Sequence, residues 1–476
     1  MSDSETERTM SGEILPDKPA SVESASISRR RFLGVTAGVT AGVVGGKFAS
    51  LALTRPRFGE GPQIIRRARG VTLNVPIPSA PFTPALQGVI GDYQSATGNT
   101  VHTSAYPFAS LLTEEVDAMV HGSGAYDVLF INTGWAGEFY HRGWVVPISE
   151  LDPKFTWPRG LIEYGGTCRW DHVHKVTALS GEPMSLPLVG NIQLLFYRQD
   201  LYRHLGLKVP ETWADVIANG RRAMSAGVVP YGYAIRGQAD IGGYANTFDF
   251  GGVLASYGGH WFADAAKGDF TPVIDNEAGQ AAMNEWLQLA KLGPKQPQTI
   301  GQAEVQSLMQ SGQLLQAELV DASASPMDDP SQSSVVDKVN YAVLPAGPGP
   351  HGVHAPLSGI WAVGVASGIS KDRQRAAWEF IQWMTSAKTQ VRFTEAGGVP
   401  TSQSVYLSGL AKDEPYRFMQ AAAASSQYVQ SGLSYPFAIE MTNLTEPMIS
   451  EIVAGSISVR AGLNKLAEGL KKINKL

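Results

Sequence analysis

Apolar strands and amphipathic helices alternate along this chain from residue 70 onward, and this alternation constrains its fold more than any other feature. Residues 126–131 read Tyr-Asp-Val-Leu-Phe-Ile, a nearly continuous apolar run that is typical of a strand buried on both faces of a parallel sheet. Residues 84–96 predict a helix that ends at Gly98. Strands that alternate with helices favour a layered α/β architecture.

The same alternation continues through the rest of the chain. It predicts further strands over 70–77, 194–197, 231–235, 314–320, 339–344 and 360–365, and further helices over 111–120, 212–224, 278–292, 372–384 and 447–473. About 400 residues lie in this region, which is enough for two lobes of ordinary size.

The first 69 residues read as an export signal and linker. Residues 28–33 are Ser-Arg-Arg-Arg-Phe-Leu, followed by a weakly apolar run, which is the pattern of a twin-arginine signal. We assign Arg29, Arg30, Phe32 and Leu33 to that signal and expect the twin-arginine translocase as a partner. The apolar run is shorter than the ~20 residues that span a bilayer, so we expect a signal segment and not an anchor.

This leader predicts a periplasmic protein. The only cysteine, Cys168, lies far from the leader, so a lipoprotein is not expected. Cleavage of the leader stays open, and an uncleaved form tethered to the membrane is the alternative.

Charge and motifs argue against several other functions. The net charge of −5 offers no basic face for nucleic acid. Residues 347–352 spell G-x-G-x-x-G, but the two prolines inside favour a loop over the helix start that a dinucleotide needs. His172 and His174 lack a third ligand at a suitable spacing. We therefore predict no catalytic residue, no cofactor and no metal site.

Amide, charged and aromatic side chains recur where predicted strands end. They include Asn132 to Trp135, Asn191, Gln193, Arg236, Gln238, Asp321, Gly359 and Trp361. Ligands of open α/β sheets bind at the carboxyl ends of strands. Amide, carboxylate and guanidinium groups bond hydroxyls, and indole rings cover C–H faces. The pattern therefore favours a polyhydroxylated ligand.

Four stretches follow one another in a specific order: 126–130 with Trp135 and 143–148, then 186–201 with 210–213, then 359–363, and finally 378–386 with 397–401. Together they resemble the family 1 extracellular solute-binding proteins of ABC importers, the maltose-binding-protein-like group.

The resemblance implies an α/β fold of the two-lobe periplasmic-binding-protein kind (Venus-flytrap type), with hinge strands that cross between the lobes. The first lobe would hold residues 70–188 and 362–425. The second would hold 189–361 and the C-terminal helices of 426–476. The ligand would bind between them.

The resemblance also implies a set of ligand-binding residues, matched motif by motif: Asn132, Thr133, Trp135, Asn191, Asp321, Gly359 and Trp361. The chain departs from the family pattern where it reads Leu319-Val320-Asp321 and Gly359-Ile360-Trp361. Loop position alone adds Tyr106, Arg236 and Trp261.

The implied function is that of an extracytoplasmic receptor, expected to be a monomer, that captures a sugar, oligosaccharide or polyol. Its partners would be an ABC permease and ATPase, with no nucleic acid among them. One alternative is a binding protein of the same fold for iron, a polyamine or another small solute. A second alternative is an enzyme exported by the twin-arginine route.

Overall fold

A computed structural model describes residues 70–240, 243–349, 352–432 and 435–474. The export-signal residues Arg29, Arg30, Phe32 and Leu33 lie outside these ranges. Within the ranges, no helix has both the length and the apolar character needed to cross a membrane.

Short strands occur along the whole described part of the chain. They are β1 (Thr72–Pro78), β2 (Thr100–Tyr106), β3 (Val128–Asn132), β4 (Arg169–Trp170), β5 (Glu182–Pro183), β6 (Leu186–Val189), β7 (Gln193–Arg198), β8 (Phe262–Asp264), β9 (Asp269–Pro272), β10 (Gln316–Val320), β11 (Val339–Ala342), β12 (Leu357–Ser358), β13 (Trp361–Val365) and β14 (Gln430–Ser431).

Helices separate these strands. They are α1 (Thr83–Thr97), α2 (Phe108–Val120), α3 (Ala136–His141), α4 (Ile148–Leu151), α5 (Gln199–Leu205), α6 (Trp213–Ser225), α7 (Asn246–Ser256), α8 (Glu277–Ala290), α9 (Gln302–Gln310), α10 (Ala324–Met327), α11 (Lys371–Met384), α12 (Ala387–Glu395), α13 (Gln403–Tyr406), α14 (Phe418–Ser425), α15 (Ala438–Val453) and α16 (Val459–Ile473).

Local sequence signals set several of these boundaries. Helix α1 ends where Gly98 adopts φ +75° and donates its N–H to the Gln94 carbonyl, a conformation that glycine adopts without steric cost. Helix α6 begins with a capping box between Thr212 and Asp215, which satisfies two otherwise unpaired backbone donors.

Two of the sheets are antiparallel and have three strands each. In the first lobe, β13 lies between β3 and β6, with Trp361 opposite Asn132 and Val189. In the second lobe, β7 lies between β10 and β11. Because successive side chains of a strand point to opposite faces, β7 contributes Leu195 to one buried cluster and Phe196 to another.

Two crossing segments join the sheets. Residues 190–192 connect β6 to β7, and residues 359–360 connect β12 to β13. The crossings are bonded to each other, because the Gly359 N–H donates to the Asn191 carbonyl at 2.7 Å. The described residues therefore form the two-lobe α/β fold with crossing strands.

One predicted strand is wrong. Residues 231–235 form no strand, and only an isolated bridge pairs Tyr231 with Leu314. A Cβ on Gly232 would lie 2.6 Å from the Gly220 Cα, and the Gly232 N–H donates to Leu292. Residues 231–235 therefore pack closely against α6, and a backbone hydrogen bond joins them to the turn after α8. These contacts take the place of pairing with a neighbouring strand.

The C-terminal helix also differs from the prediction of a single element. Helix α15 ends at Val453, Gly455 adopts φ +73°, and Ser458 caps the start of α16. A glycine in the left-handed region stops one helix, and a serine cap begins the next.

Helix α14, the last helix of the range 362–425 predicted for the first lobe, contacts elements of both predicted lobes, including α13 of the first. Helix α14 contacts β11 and β7 of the second lobe, with Phe418 6.2 Å from the Tyr341 ring. Just before it, Arg417 pairs with Asp328 at 2.7 Å. The lobe boundaries stay predictions.

Candidate functional site

A cleft of about 500 Å³ opens where the two lobes meet. The first lobe contributes residues 78–82, Phe108, Asn132 and Trp361, and the crossings contribute Asn191 and Gly359. The second lobe contributes Arg236, 238–240, Tyr244, Ala245, Phe248, 301–304, Val320, Ala322 and Ser323. The volume of the cleft falls in the range usual for small-molecule sites.

Two asparagines and a glycine form the part of the cleft next to the crossings. Asn132 and Asn191 each donate a side-chain N–H to the Gly359 carbonyl, at 3.2 and 3.0 Å. A Cβ on Gly359 would lie 3.0 Å from Asn191 Nδ2 and 3.1 Å from the Phe248 ring, so a larger residue would push these groups apart.

Asn191 retains an unused acceptor. Its Oδ1 is buried, and no group in the described ranges donates to it. A buried acceptor without a donor costs free energy.

Aromatic side chains line the first-lobe wall. Trp361 and Phe108 face the cleft, 5.5 Å apart in an edge-to-face arrangement. Trp135 contacts both rings from behind, at 5.6 Å from Trp361 and 4.9 Å from Phe108. Such contacts fix ring orientation, so Trp135 supports the wall without lining it.

Arg236 lines the cleft but is bonded within the protein. Its Nε donates to Asp249 Oδ2 at 3.0 Å, Nη2 donates to Asp249 Oδ1, and Nη1 donates to Gln302 at 2.9 Å. Behind it, Glu318 is buried and burial raises its carboxyl pKa. The guanidinium charge therefore compensates the buried Asp249 carboxylate.

Glu446 of α15 organises the second-lobe segment of the cleft. Its carboxylate accepts backbone N–H bonds from Asp240 (3.0 Å), Ala245 (2.9 Å), Asn246 (3.2 Å) and Thr247 (2.9 Å). Burial raises the pKa of Glu446, and these N–H donors oppose that rise. One side chain thus fixes the start of α7 and the lining residue Asp240.

We expect Glu446→Gln to lower the free energy of unfolding by about 2–3 kcal/mol, because an amide N–H₂ would face backbone N–H donors in place of one carboxylate oxygen. Urea denaturation measures the change. Glu451→Gln, an exposed glutamate of the same helix, is the control. Equal unfolding free energies for the two variants would contradict the assignment.

Half of the predicted ligand-binding residues line the cleft, and half do not. The lining ones are Asn132, Asn191, Arg236, Gly359 and Trp361. The remaining ones are Thr133, Trp135, Asp321, Tyr106 and Trp261.

Two of the remaining residues lie under the crossings. Thr133 is fully buried and bonds the Ile360 carbonyl through its backbone N–H. Asp321 is also fully buried, and its carboxylate accepts the Ile192 N–H at 3.1 Å and the Tyr406 hydroxyl at 3.5 Å.

Two others pack away from the cleft. Tyr106 bonds the Tyr126 hydroxyl at 3.3 Å. Trp261 packs 6.0 Å from Phe250 in the second-lobe core.

Several residues that line the cleft were not predicted from the sequence. They are Phe82, Phe108, Asp240, Tyr244, Phe248, Gln302 and Glu304. Phe108 opens a helix directly after Pro107 and a strand end, which is the signal that could have identified it. Tyr244 lies in an irregular segment, where periodicity gives no information.

The lining chemistry suits binding. Amides, hydroxyls and aromatic rings converge on one cleft, and such groups bond hydroxyls and cover C–H surfaces. Across the described ranges, His, Cys, Asp and Glu side chains do not gather in threes at a spacing that would hold a metal ion.

The sequence is similar to those of known proteins. Residues 79–391, well over half of the chain, match the family described as bacterial extracellular solute-binding proteins. The mannitol-binding protein of Pseudomonas aeruginosa is 28% identical over 270 residues, 55% of this chain and 57% of that protein. A probable ABC transporter-binding protein of Deinococcus radiodurans is 27% identical over 321 residues, 65% of this chain and 71% of that protein. The chain therefore spans little more than half the length of the mannitol-binding relative.

Solved structures share the fold. A solute-binding protein of Agrobacterium radiobacter K84, in complex with ribitol, has a TM-score of 0.71 and 20% identity, covering 86% of this chain and all of that one. A maltose-bound protein of T. maritima has the same score and identity, covering 85% of this chain and all of that one. With the family pattern matched over 79–391, the chain belongs to the bacterial extracellular solute-binding proteins.

Proposed function

We propose that this protein is the extracytoplasmic receptor of an ABC importer, and that it captures a sugar or polyol between its lobes. The observation that carries the proposal is the cleft itself, where the amides of Asn132 and Asn191 and aromatic rings of the first lobe face polar groups of the second. Its partners would be a membrane permease and an ATPase. The twin-arginine route would deliver it to the periplasm, where it acts without catalysis.

Binding would work by closing the cleft. A ligand that contacts both lobes binds the closed state better than the open state, and so shifts the population toward closure. A shift from 1:99 to 99:1 requires about 5.5 kcal/mol of differential affinity. Several hydrogen bonds from the cleft amides, together with contacts to Trp361 and Phe108, can supply this difference.

The relatives support a small polyhydroxylated ligand. The Pseudomonas relative is named for mannitol, and the structural neighbours hold ribitol and maltose. Asn132 and Asn191, which line the cleft, have the amide groups that bond the hydroxyls of such ligands.

A thermal-shift screen over hexitols, pentitols, monosaccharides and disaccharides tests the proposal. A ligand at a thousand times its Kd stabilises the folded state by about 4 kcal/mol. We expect at least one polyol or sugar to raise the melting temperature, and Asn191→Ala to weaken its binding at least tenfold. Asn284→Ala, an exposed position on α8, serves as the control. Stabilisation by iron or a polyamine, with none by sugars or polyols, would overturn the proposal.

A further inference from the structure

The cleft contains few ionisable side chains. Among its described lining residues, Arg236 is the one lysine or arginine, while Asp240 and Glu304 are carboxylates. A free cation at this place would attract an anionic ligand, so the state of Arg236 decides which ligand charge the cleft accepts.

The Arg236 charge is already matched. Asp249 holds it through two of its nitrogens, and the side chains of both residues are about nine-tenths buried. The third contact, from Nη1 to Gln302, uses a further donor. Glu318 and Glu446 also act on this guanidinium from behind. An incoming anion would therefore meet a cation that carboxylates of the protein already neutralise.

Helices α7 and α9 begin at the cleft, and protein carboxylates accept N–H groups at both beginnings. Helix N-termini attract anions through their free N–H groups. At α9, Glu304 Oε2 accepts the Gly301 N–H at 2.9 Å. At α7, Glu446 accepts the N–H groups of Ala245, Asn246 and Thr247. Both helix beginnings thus already bear negative charge from the protein.

We infer that the cleft rejects anionic ligands and accepts neutral or amine-bearing polyhydroxylated ones. This inference deepens the proposed function and rests on it. Arg236 and the beginnings of α7 and α9, which could each bind an anion, are each bonded to a carboxylate of the same chain. Two carboxylates, Asp240 and Glu304, face the ligand space and would repel a sugar acid or sugar phosphate while attracting an amine.

Three ligands that differ at one carbon test the inference. They are D-mannitol, its aldonic acid D-mannonate, and 1-amino-1-deoxy-D-mannitol, titrated into the full chain at pH 7.5 by calorimetry. We expect mannonate to bind at least a hundredfold more weakly than mannitol and the amine to bind at least as tightly. Mannonate binding within tenfold of mannitol would overturn the inference.

Carboxylate variants give the second measurement. Glu304→Gln can keep its cap, because glutamine also serves in capping boxes. We expect Glu304→Gln and Asp240→Asn each to lower the ratio of the mannonate Kd to the mannitol Kd about tenfold. Glu468→Gln, at an exposed position on α16, should leave the ratio unchanged. A ratio that stays constant in all three variants overturns the assignment of Asp240 and Glu304.

A thermal-shift panel of neutral, cationic and anionic solutes separates the inference from the proposed function. Stabilisation by amines alone, with none by sugars or polyols, contradicts the proposed function and supports the exclusion of anions. Stabilisation by an anionic solute that displaces neutral ones overturns the inference while leaving the receptor role intact. A panel with no stabilising solute overturns both.

Discussion

Replacing Arg236 with leucine should lower the free energy of unfolding by about 3–5 kcal/mol, the usual effect of removing one partner from a buried ion pair. Asp249 would lose its two guanidinium bonds, and the buried Glu318 would lose the nearby cation. Urea denaturation at pH 7.5 measures the loss.

A double variant separates the pair from simple loss of packing. Arg236→Leu combined with Asp249→Leu removes both charges, and exchanging a whole buried pair for apolar residues is often close to neutral. We expect the double variant to recover most of the stability that Arg236→Leu loses. A single variant within 1 kcal/mol of the natural protein would contradict the structural role of Arg236.

Arg236 also shows what the sequence could and could not reveal about the site. Its loop position after the predicted strand 231–235 led to its prediction as a ligand-binding residue, and it lines the cleft. The sequence could not reveal that Asp249, on a helix 13 residues later, would pair with it. Pairing between elements depends on how α7 packs, and no local pattern encodes that.

Tertiary contacts also decide which of the other predicted residues line the cleft. Asn132, Thr133 and Trp135 follow one strand, and proximity to a strand end brought all three near the cleft. Only Asn132 lines it, because Thr133 turns toward the second crossing and Trp135 packs behind Trp361. The direction of each side chain after a strand end depends on the local turn, which residue types alone do not determine.

The fold was more predictable than the site. Strands buried on both faces, such as β3, and helices bounded by a glycine or a capping box, such as α1 and α6, carry their signals within a few residues. The segment 231–235 has a strand-like composition, yet close contact between Gly232 and Gly220 places it against a helix. Tertiary contact overrode local preference there.

Asp321 is expected to make the stability of the protein depend on pH. Burial raises its pKa from the ordinary 3.8 to about 7, although the Ile192 N–H and the Tyr406 hydroxyl oppose the rise. Between these pH values the folded protein keeps a proton that the unfolded chain releases. The folded state binds more protons there, so the free energy of unfolding falls as pH rises from about 4 to 7 and then levels off.

Asp321→Asn isolates this contribution, because an amide keeps a neutral acceptor for the Ile192 N–H and cannot ionise. A pKa of about 7 in place of 3.8 corresponds to about 4 kcal/mol. The unfolding free energy of the variant minus that of the natural protein should therefore rise by roughly 4 kcal/mol between pH 4 and pH 8.

Asp117→Asn, at an exposed position on α2, is the control and should give a difference that does not change with pH. Urea denaturation at half-unit pH steps measures both, and a flat difference for Asp321→Asn would show that this carboxyl is already ionised at pH 4. Asp321 bonds both Ile192 of a crossing segment and Tyr406, so its ionisation above about pH 7 would place a buried negative charge between these two residues.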